Sequence, residues 1–185
     1  MNAILVLQNL PLLVTVGLAA LIDVRFRRIP NALTLSLLLV GLAEACFGHH
    51  GISVSHALLG CLVGFILTFG QFLLGALGGG DLKLMTAVGA WTGPAGILAV
   101  FMVAAVFGLI SVLTQSLKQG QTAALLRNSA IITINLVHLR QIGCRQVQAV
   151  GESCRSIDEP LPYAVSVLVG LVMLMATPWL SWLMG

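Results

Sequence analysis

The chain has 185 residues, of which nine are Lys or Arg and six are Asp or Glu, so that only 8% carry a formal charge. Hydrophobic residues make up 58% and the mean hydropathy is +1.04, whereas about 25% of the residues of a soluble domain are charged. This balance excludes a soluble globular domain and a disordered chain. A net charge of +3 is too small for a basic nucleic-acid surface. The composition therefore predicts an integral membrane protein, with the lipid bilayer as its partner.

Six apolar segments follow one another along the sequence, and a spanning helix needs about 20 mostly apolar residues. The expected spans are residues 1–22, 32–47, 54–77, 82–91, 95–117 and 161–184. The fourth is shorter than a comfortable span and lies between two interruptions, Gly78-Gly79-Gly80 and Thr92-Gly93-Pro94. The sequence thus predicts an all-α, polytopic membrane bundle of about six transmembrane helices, forming a single membrane-embedded domain over residues 1–185.

Two polar connections are prominent in this arrangement. Residues 23–31 form a short polar turn in which Pro30 disfavours helix at the preceding residue and Asn31 can cap the next helix. The longest polar region, residues 118–160, is expected to be a cytoplasmic loop. Its first half, residues 122–140, mixes apolar patches with basic residues, which is typical of an amphipathic helix lying on the membrane surface.

The orientation follows from the positions of the basic residues. Threading six crossings brings all nine to the same side: Arg25, Arg27, Arg28, Lys83, Lys118, Arg127, Arg140, Arg145 and Arg155. Because cytoplasmic loops are enriched in Lys and Arg, that side is predicted to be cytoplasmic and both termini to lie outside. The N-terminus has no basic residue before its first apolar run, so a cleaved signal peptide is not expected.

The sequence predicts neither a metal site nor a cofactor. No C-x-x-C pair is formed by the four cysteines Cys46, Cys61, Cys144 and Cys154, so that neither a zinc ribbon nor a redox motif is indicated. Three histidines fall near the outer side, and only His138 is expected inside, where it stands alone.

Two of the six acidic residues stand out by their position. Glu152, Asp158 and Glu159 belong to the long loop, and Glu44 lies at the outer end of the second span. Asp23 and Asp81, in contrast, each stand at the cytoplasmic end of an apolar segment, at the same predicted membrane depth. Alone, either could be a helix-end charge that reaches the headgroups, with Asp81 as a helix cap.

Taken together, the two aspartates indicate acid–base chemistry. Two carboxylates held a few Å apart cannot both ionise readily, so they share a proton and can activate water against an amide carbonyl. Gly78 and Gly80 remove side chains from the backbone beside Asp81, where an extended substrate could approach closely, although such glycines also suit a flexible turn. The residues by themselves leave three functions open: an aspartic endopeptidase, a small proton-coupled transporter that uses the same acids as a relay, and a structural membrane subunit.

Three motifs resemble the prepilin peptidases, intramembrane aspartic proteases of the G-x-G-D type. They are Asp23-x-Arg25-x-x-x-Ile29-Pro30-Asn31, Gly78-x-Gly80-Asp81-x-Lys83-Leu84, and Pro162-Tyr163 at the start of the last span. The resemblance implies that Asp23 and Asp81 form a catalytic dyad that activates water, without a covalent intermediate, a metal or a cofactor. It also implies a protease of the bacterial inner membrane, which removes the basic leader of type IV prepilins or pseudopilins at the cytoplasmic face.

The connection after Asp23 narrows the resemblance to one branch of the family. The large bifunctional members carry a cytoplasmic insert with paired C-x-x-C motifs there and also methylate the new N-terminus, whereas only a short turn is found here. The chain therefore resembles the short, peptidase-only branch that processes Flp-type (tight-adherence) pilins, and methylation is not expected. The presenilin-like proteases fit less well, because Ile22 stands where they have Tyr before the first Asp.

Overall fold

The computed structural model describes residues 9–47, 52–73, 77–119 and 162–177. Within these ranges the regular elements are all helices: α1 Leu10–Phe26, α2 Asn31–Phe47, α3 Val54–Leu73, α4 Gly79–Gln119 and α5 Tyr163–Ala176. The all-α prediction is therefore confirmed for this part of the chain. The predicted surface helix at 122–140, almost all of the predicted loop 118–160, and both ends of the chain lie outside the described residues.

The turn between α1 and α2 is shorter than the sequence suggested. Residues 23–31 were expected to form it, but α1 continues to Phe26, so that Asp23 lies in its last turn. The helix ends because Arg27 adopts a left-handed conformation (φ 52°) while its N–H donates to the carbonyl of Asp23 at 2.8 Å. Pro30 follows, and α2 begins at Asn31, which agrees with the conformational restriction that proline places on the residue before it.

The long helix α4 contains a reversal of the chain. Gly93 has a non-helical conformation (φ 68°, ψ −178°) and Pro94 follows it. A Cβ atom on Gly64 of α3 would lie 2.6 Å from the carbonyl oxygen of Met85 and 3.3 Å from Cγ1 of Ile97. Those two residues would be about 18 Å apart on a continuous helix that rises 1.5 Å per residue. The chain therefore turns back at Gly93, and α4 consists of two antiparallel arms, α4a (79–92) and α4b (94–119).

This reversal agrees with the separate fourth and fifth segments that the sequence predicted, but their bounds differ. Gly79 and Gly80 were expected in the interruption before the fourth segment, whereas they are the first residues of α4a. At its other end, α4b continues through Lys118 to Gln119, where the long loop was expected to have started. The structure describes α3 as far as Leu73, and Leu77, the predicted last residue of the third span, is not helical.

The short arm α4a lies at the centre of the bundle. Ala87, Val88, Ala90 and Trp91 are buried, and the Trp91 indole N–H donates to the Leu37 carbonyl of α2 at 2.9 Å. The other elements place large apolar side chains on the outside, among them Leu18, Leu39, Leu58, Leu109 and Met173. An arm surrounded by other helices does not face lipid, which explains how a segment below the usual spanning length is accommodated.

Two helical stretches of the described part are long and apolar enough to cross a membrane, Val54–Leu73 and Gly79–Lys118. The second contains the reversal at Gly93 and is therefore α4a followed by α4b. Asn31–Phe47 and Tyr163–Ala176 are shorter apolar helices. Large apolar side chains that face outward are typical of a surface that contacts lipid or another protein. Six crossings with both termini outside remain a prediction.

Glycine permits a close backbone contact between α3 and α4a. A Cβ on Gly60 of α3 would overlap the backbone carbonyl of Gly89 in α4a, and a Cβ on Gly89 would overlap that of Gly60. Small residues at such a spacing allow helix backbones to touch in membrane proteins. The Gly60-x-x-x-Gly64 sequence therefore forms the surface on which α4a packs.

We expect Gly60→Ala to destabilise the purified protein by about 1–3 kcal/mol or to abolish folding, because the added methyl group has no space. Gly70→Ala on the same helix is the matched control, since nothing lies within 4 Å of a Cβ at that position. Thermal unfolding in detergent measures both variants. Equal unfolding temperatures for the two would contradict the close contact.

Candidate active site

The residues that the sequence singled out come together at one end of the bundle. Asp23 lies in the last turn of α1 and Asp81 in the first turn of α4. Both line an open cleft of about 310 Å³ and interact electrostatically with each other. Gly78 and Gly80 also line this cleft, together with Arg27, Arg28, Ile29, Asn31 and Gly79. All four predicted site residues therefore occupy a single site.

Asp23 is held by the start of the last helix. Its side chain is buried, and its Oδ2 accepts a hydrogen bond from the backbone N–H of Ala164 at 3.4 Å. Ala164 belongs to the first turn of α5, where unpaired N–H groups and the helix dipole favour a negative charge. The N-terminus of α5 is thus a partner of this carboxylate.

Asp81 caps its own helix with one oxygen and leaves the other without a partner. Its Oδ2 accepts a hydrogen bond from the N–H of Gly78 at 3.3 Å, as the acidic residue of a capping box does for the residue that precedes a helix. The capping role considered from the sequence is therefore present. Its Oδ1 is buried and has no hydrogen-bond partner among the described residues, so that capping does not account for the whole side chain.

The glycines that precede Asp81 have different neighbours. A Cβ on Gly80 would lie 3.1 Å from Cβ of Ile29, in the turn between α1 and α2, and is therefore crowded. Gly78 is exposed, and a Cβ there would meet only the Asp81 carboxylate, at 3.4 Å. Gly80 thus lets the two motifs approach each other, while Gly78 leaves backbone accessible at the cleft.

A hydrogen bond that the sequence did not reveal joins the two aspartate motifs. Lys83 Nζ donates to Asn31 Oδ1 at 2.8 Å, which connects α4 to the first residue of α2. From the sequence, Lys83 was expected only to mark the cytoplasmic side, and Asn31 was expected to cap the second helix. The sequence feature that could have indicated this hydrogen bond is that Asn31 belongs to the first family motif and Lys83 to the second.

Among the described residues no group of three or more His, Cys, Asp and Glu side chains is arranged to hold a metal ion. The lack of a metal or cofactor in the working protein remains a prediction. The chemistry that the cleft itself offers is that of two carboxylates, which suits proton transfer to and from a bound water.

We expect Lys83→Met and Asn31→Ala each to lower the free energy of unfolding by about 0.5–1.5 kcal/mol, the usual worth of one hydrogen bond. The double variant should be no less stable than either single variant, because both remove the same bond. Lys118→Met controls for the loss of a positive charge from an exposed lysine of the same helix. Chemical unfolding in detergent measures the stability of the wild type, the two single variants, the double variant and the control. Additive losses of unfolding free energy in the double variant would contradict a direct bond.

Comparisons with known proteins agree with the motifs. A family model described as the type IV leader peptidase family matches residues 10–113, a region that includes both aspartates. The "Prepilin leader peptidase/N-methyltransferase" of Stutzerimonas stutzeri is 36% identical over 122 residues, which cover 59% of this chain and 42% of that protein. The protein of the same name from Pectobacterium carotovorum subsp. carotovorum is 34% identical over 110 residues, or 55% of this chain and 39% of that protein.

A further relative is the "Type 4 prepilin-like proteins leader peptide-processing enzyme" of Escherichia coli, with 34% identity over 112 residues, or 56% of this chain and 40% of that protein. The chain therefore spans about two fifths of the length of the curated relatives it matches. The search of solved structures found no match.

Proposed function

We propose that this chain, which belongs to the type IV leader peptidase family, is a membrane aspartic endopeptidase that removes the basic leader peptide from type IV prepilins or pseudopilins. The observation that carries the proposal is the meeting of Asp23 and Asp81, from helices far apart in the sequence, at one open cleft. The names of its relatives refer to the same processing reaction.

The proposed reaction uses the two carboxylates as one acid–base unit. One carboxylate takes a proton from a bound water while the oxygen of that water attacks the scissile carbonyl carbon. The second carboxyl group, which is protonated, donates its proton to the carbonyl oxygen. This gives a tetrahedral intermediate with two hydroxyl groups. The first carboxyl group then gives its proton to the leaving nitrogen, which breaks the C–N bond. A hydroxyl of the tetrahedral intermediate returns its proton to the second carboxylate as the product carboxylic acid forms, and this restores the dyad. The pair titrates as a unit, so the shared proton belongs to both residues.

The surroundings of the cleft suit a polypeptide substrate. Gly78 leaves main-chain groups accessible at the cleft, and an extended segment can lie against them. The cleft is open and lies at helix ends, which fits a substrate that enters from the membrane surface. A proton relay would instead need acids within the membrane-spanning part of the helices, and this difference favours the peptidase over the transporter considered from the sequence.

The proposal includes the location of the site. Arg25, Arg27, Arg28 and Lys83 are exposed around the two aspartate motifs, and such a concentration of positive charge favours the cytoplasmic side. We therefore propose a multi-pass protein of the bacterial inner membrane, a single peptidase domain of six crossings with both termini outside and the active site at the cytoplasmic face.

The substrate branch rests on the connection after Asp23. Four residues, 27–30, separate α1 from α2, which leaves no room there for the insert of the bifunctional members. This favours Flp-type prepilins or pseudopilins as substrates, and the proposal covers leader removal alone, without N-methylation.

Asp23→Asn and Asp81→Asn should each lower cleavage of a co-expressed type IV pilin precursor by at least about a thousandfold, as removal of one member of a catalytic unit does. Asparagine still accepts the hydrogen bonds from Ala164 and Gly78, so the fold should persist. Glu44→Gln, at the far end of α2, is the control acid and should be fully active. Immunoblots of precursor, mature pilin and enzyme report the result. Normal processing by either Asp variant would refute the dyad.

Gly80→Ala should lower the rate of cleavage by about ten- to a hundredfold, because the added methyl group pushes Ile29 away and displaces Asp81 relative to Asp23. Gly17→Ala in α1 is the control, since a Cβ there meets nothing within 4 Å. Initial rates with purified enzyme measure both. Equal activity of the two variants would show that this approach is not required for cleavage.

A further inference from the structure

The first turn of α5 bonds to Asp23 and lies near Asp81. The N–H of Ala164 donates to Asp23 Oδ2, and the preceding residue, Tyr163, interacts electrostatically with Asp81. Two successive residues at the start of one helix are therefore close to the two carboxylates of the cleft. From the sequence, Tyr163 was only a supporting part of the third motif, and an aromatic residue at a span end is common.

Two buried polar atoms at this place lack partners. Asp81 Oδ1 and the Tyr163 hydroxyl are both buried, and neither has a hydrogen-bond partner within the described part of the chain. Most buried polar atoms of native proteins are paired, and leaving one unpaired is unfavourable. A phenol is a donor and a carboxylate oxygen is an acceptor. The two unpaired groups are therefore complementary to each other.

The position of Tyr163 indicates how it acts. Asp81 lines the cleft, whereas Tyr163 is not among the cleft-lining residues and its hydroxyl is buried. The phenol thus lies on the protein side of the cleft and not on the side that a substrate would occupy. This arrangement therefore does not favour a direct contact between Tyr163 and the substrate.

We propose that Tyr163 is a positioning residue for Asp81, whose hydroxyl donates a hydrogen bond to Oδ1 in the working arrangement of the site while the N–H of Gly78 holds Oδ2. The two donors fix the plane of the carboxyl group. Each carboxylate oxygen keeps a further lone pair for the attacking water or the substrate. The role in cleavage rests on the function proposed above, whereas the contact between Tyr163 and Asp81 does not.

Tyr163→Phe removes only the hydroxyl and should lower kcat by about 10- to 100-fold, the effect of one hydrogen bond to a charged group. KM should be unchanged, because Tyr163 does not line the cleft. Ser166→Ala is the matched control: it removes a hydroxyl from a buried residue of the same helix and should leave kcat unchanged. A wild-type kcat for Tyr163→Phe, or an equal fall in Ser166→Ala, would overturn the inference.

A spectroscopic measurement tests the contact without any substrate. Tyr163 is the only tyrosine of the chain, so the full-length protein labelled with 3-fluorotyrosine gives one ¹⁹F resonance. Asp81→Asn should shift that resonance, and Glu44→Gln should not. An unmoved resonance in Asp81→Asn overturns the positioning role even if cleavage is lost. A shifted resonance in an Asp81→Asn protein that still cleaves precursor overturns the proposed function and leaves the contact in place.

Discussion

The backbone contact between Gly60 and Gly89 constrains the rest of the structure. The two helices touch main chain to main chain there, and any Cβ at either position would overlap the facing carbonyl. This contact seats α4a in the centre of the bundle, and the reversal at Gly93 then brings α4b back along α3. Since Asp81 lies in the first turn of α4a, the depth of that arm also sets the depth of the carboxylate.

The cleft is built from helix ends, and this explains its chemical character. A helix end has free N–H groups, and the described structure directs two of them at carboxylates: Ala164 at Asp23 and Gly78 at Asp81. The left-handed Arg27 ends α1 one turn after Asp23, and both residues line the cleft. The same geometry therefore holds two acids together and leaves room for a substrate next to them.

Much of this arrangement was predictable because a membrane restricts the length of apolar segments and the positions of charged residues. Asp23 and Asp81 were paired because both were expected at the same membrane depth. The interruption at Gly93-Pro94 indicated two segments in place of one, since apolar runs must match the bilayer thickness. The prediction was less accurate at helix ends. Asp23 was expected in a turn and Gly79 and Gly80 in a break, whereas all three are helical, because local hydrogen bonds to Asp23 and Asp81 decided where those helices end and begin.

By itself, the sequence determined that the chain is helical, that it suits a membrane, and that two acids stand at matching ends of apolar segments. Those properties depend on composition and on spacing along one chain. Only the tertiary structure decided that Lys83 bonds Asn31 and that the start of α5 lies at the cleft, where Ala164 donates to Asp23. Such contacts join residues far apart in the sequence, and their formation depends on how closely the helices pack, which glycine permits at Gly60, Gly80 and Gly89.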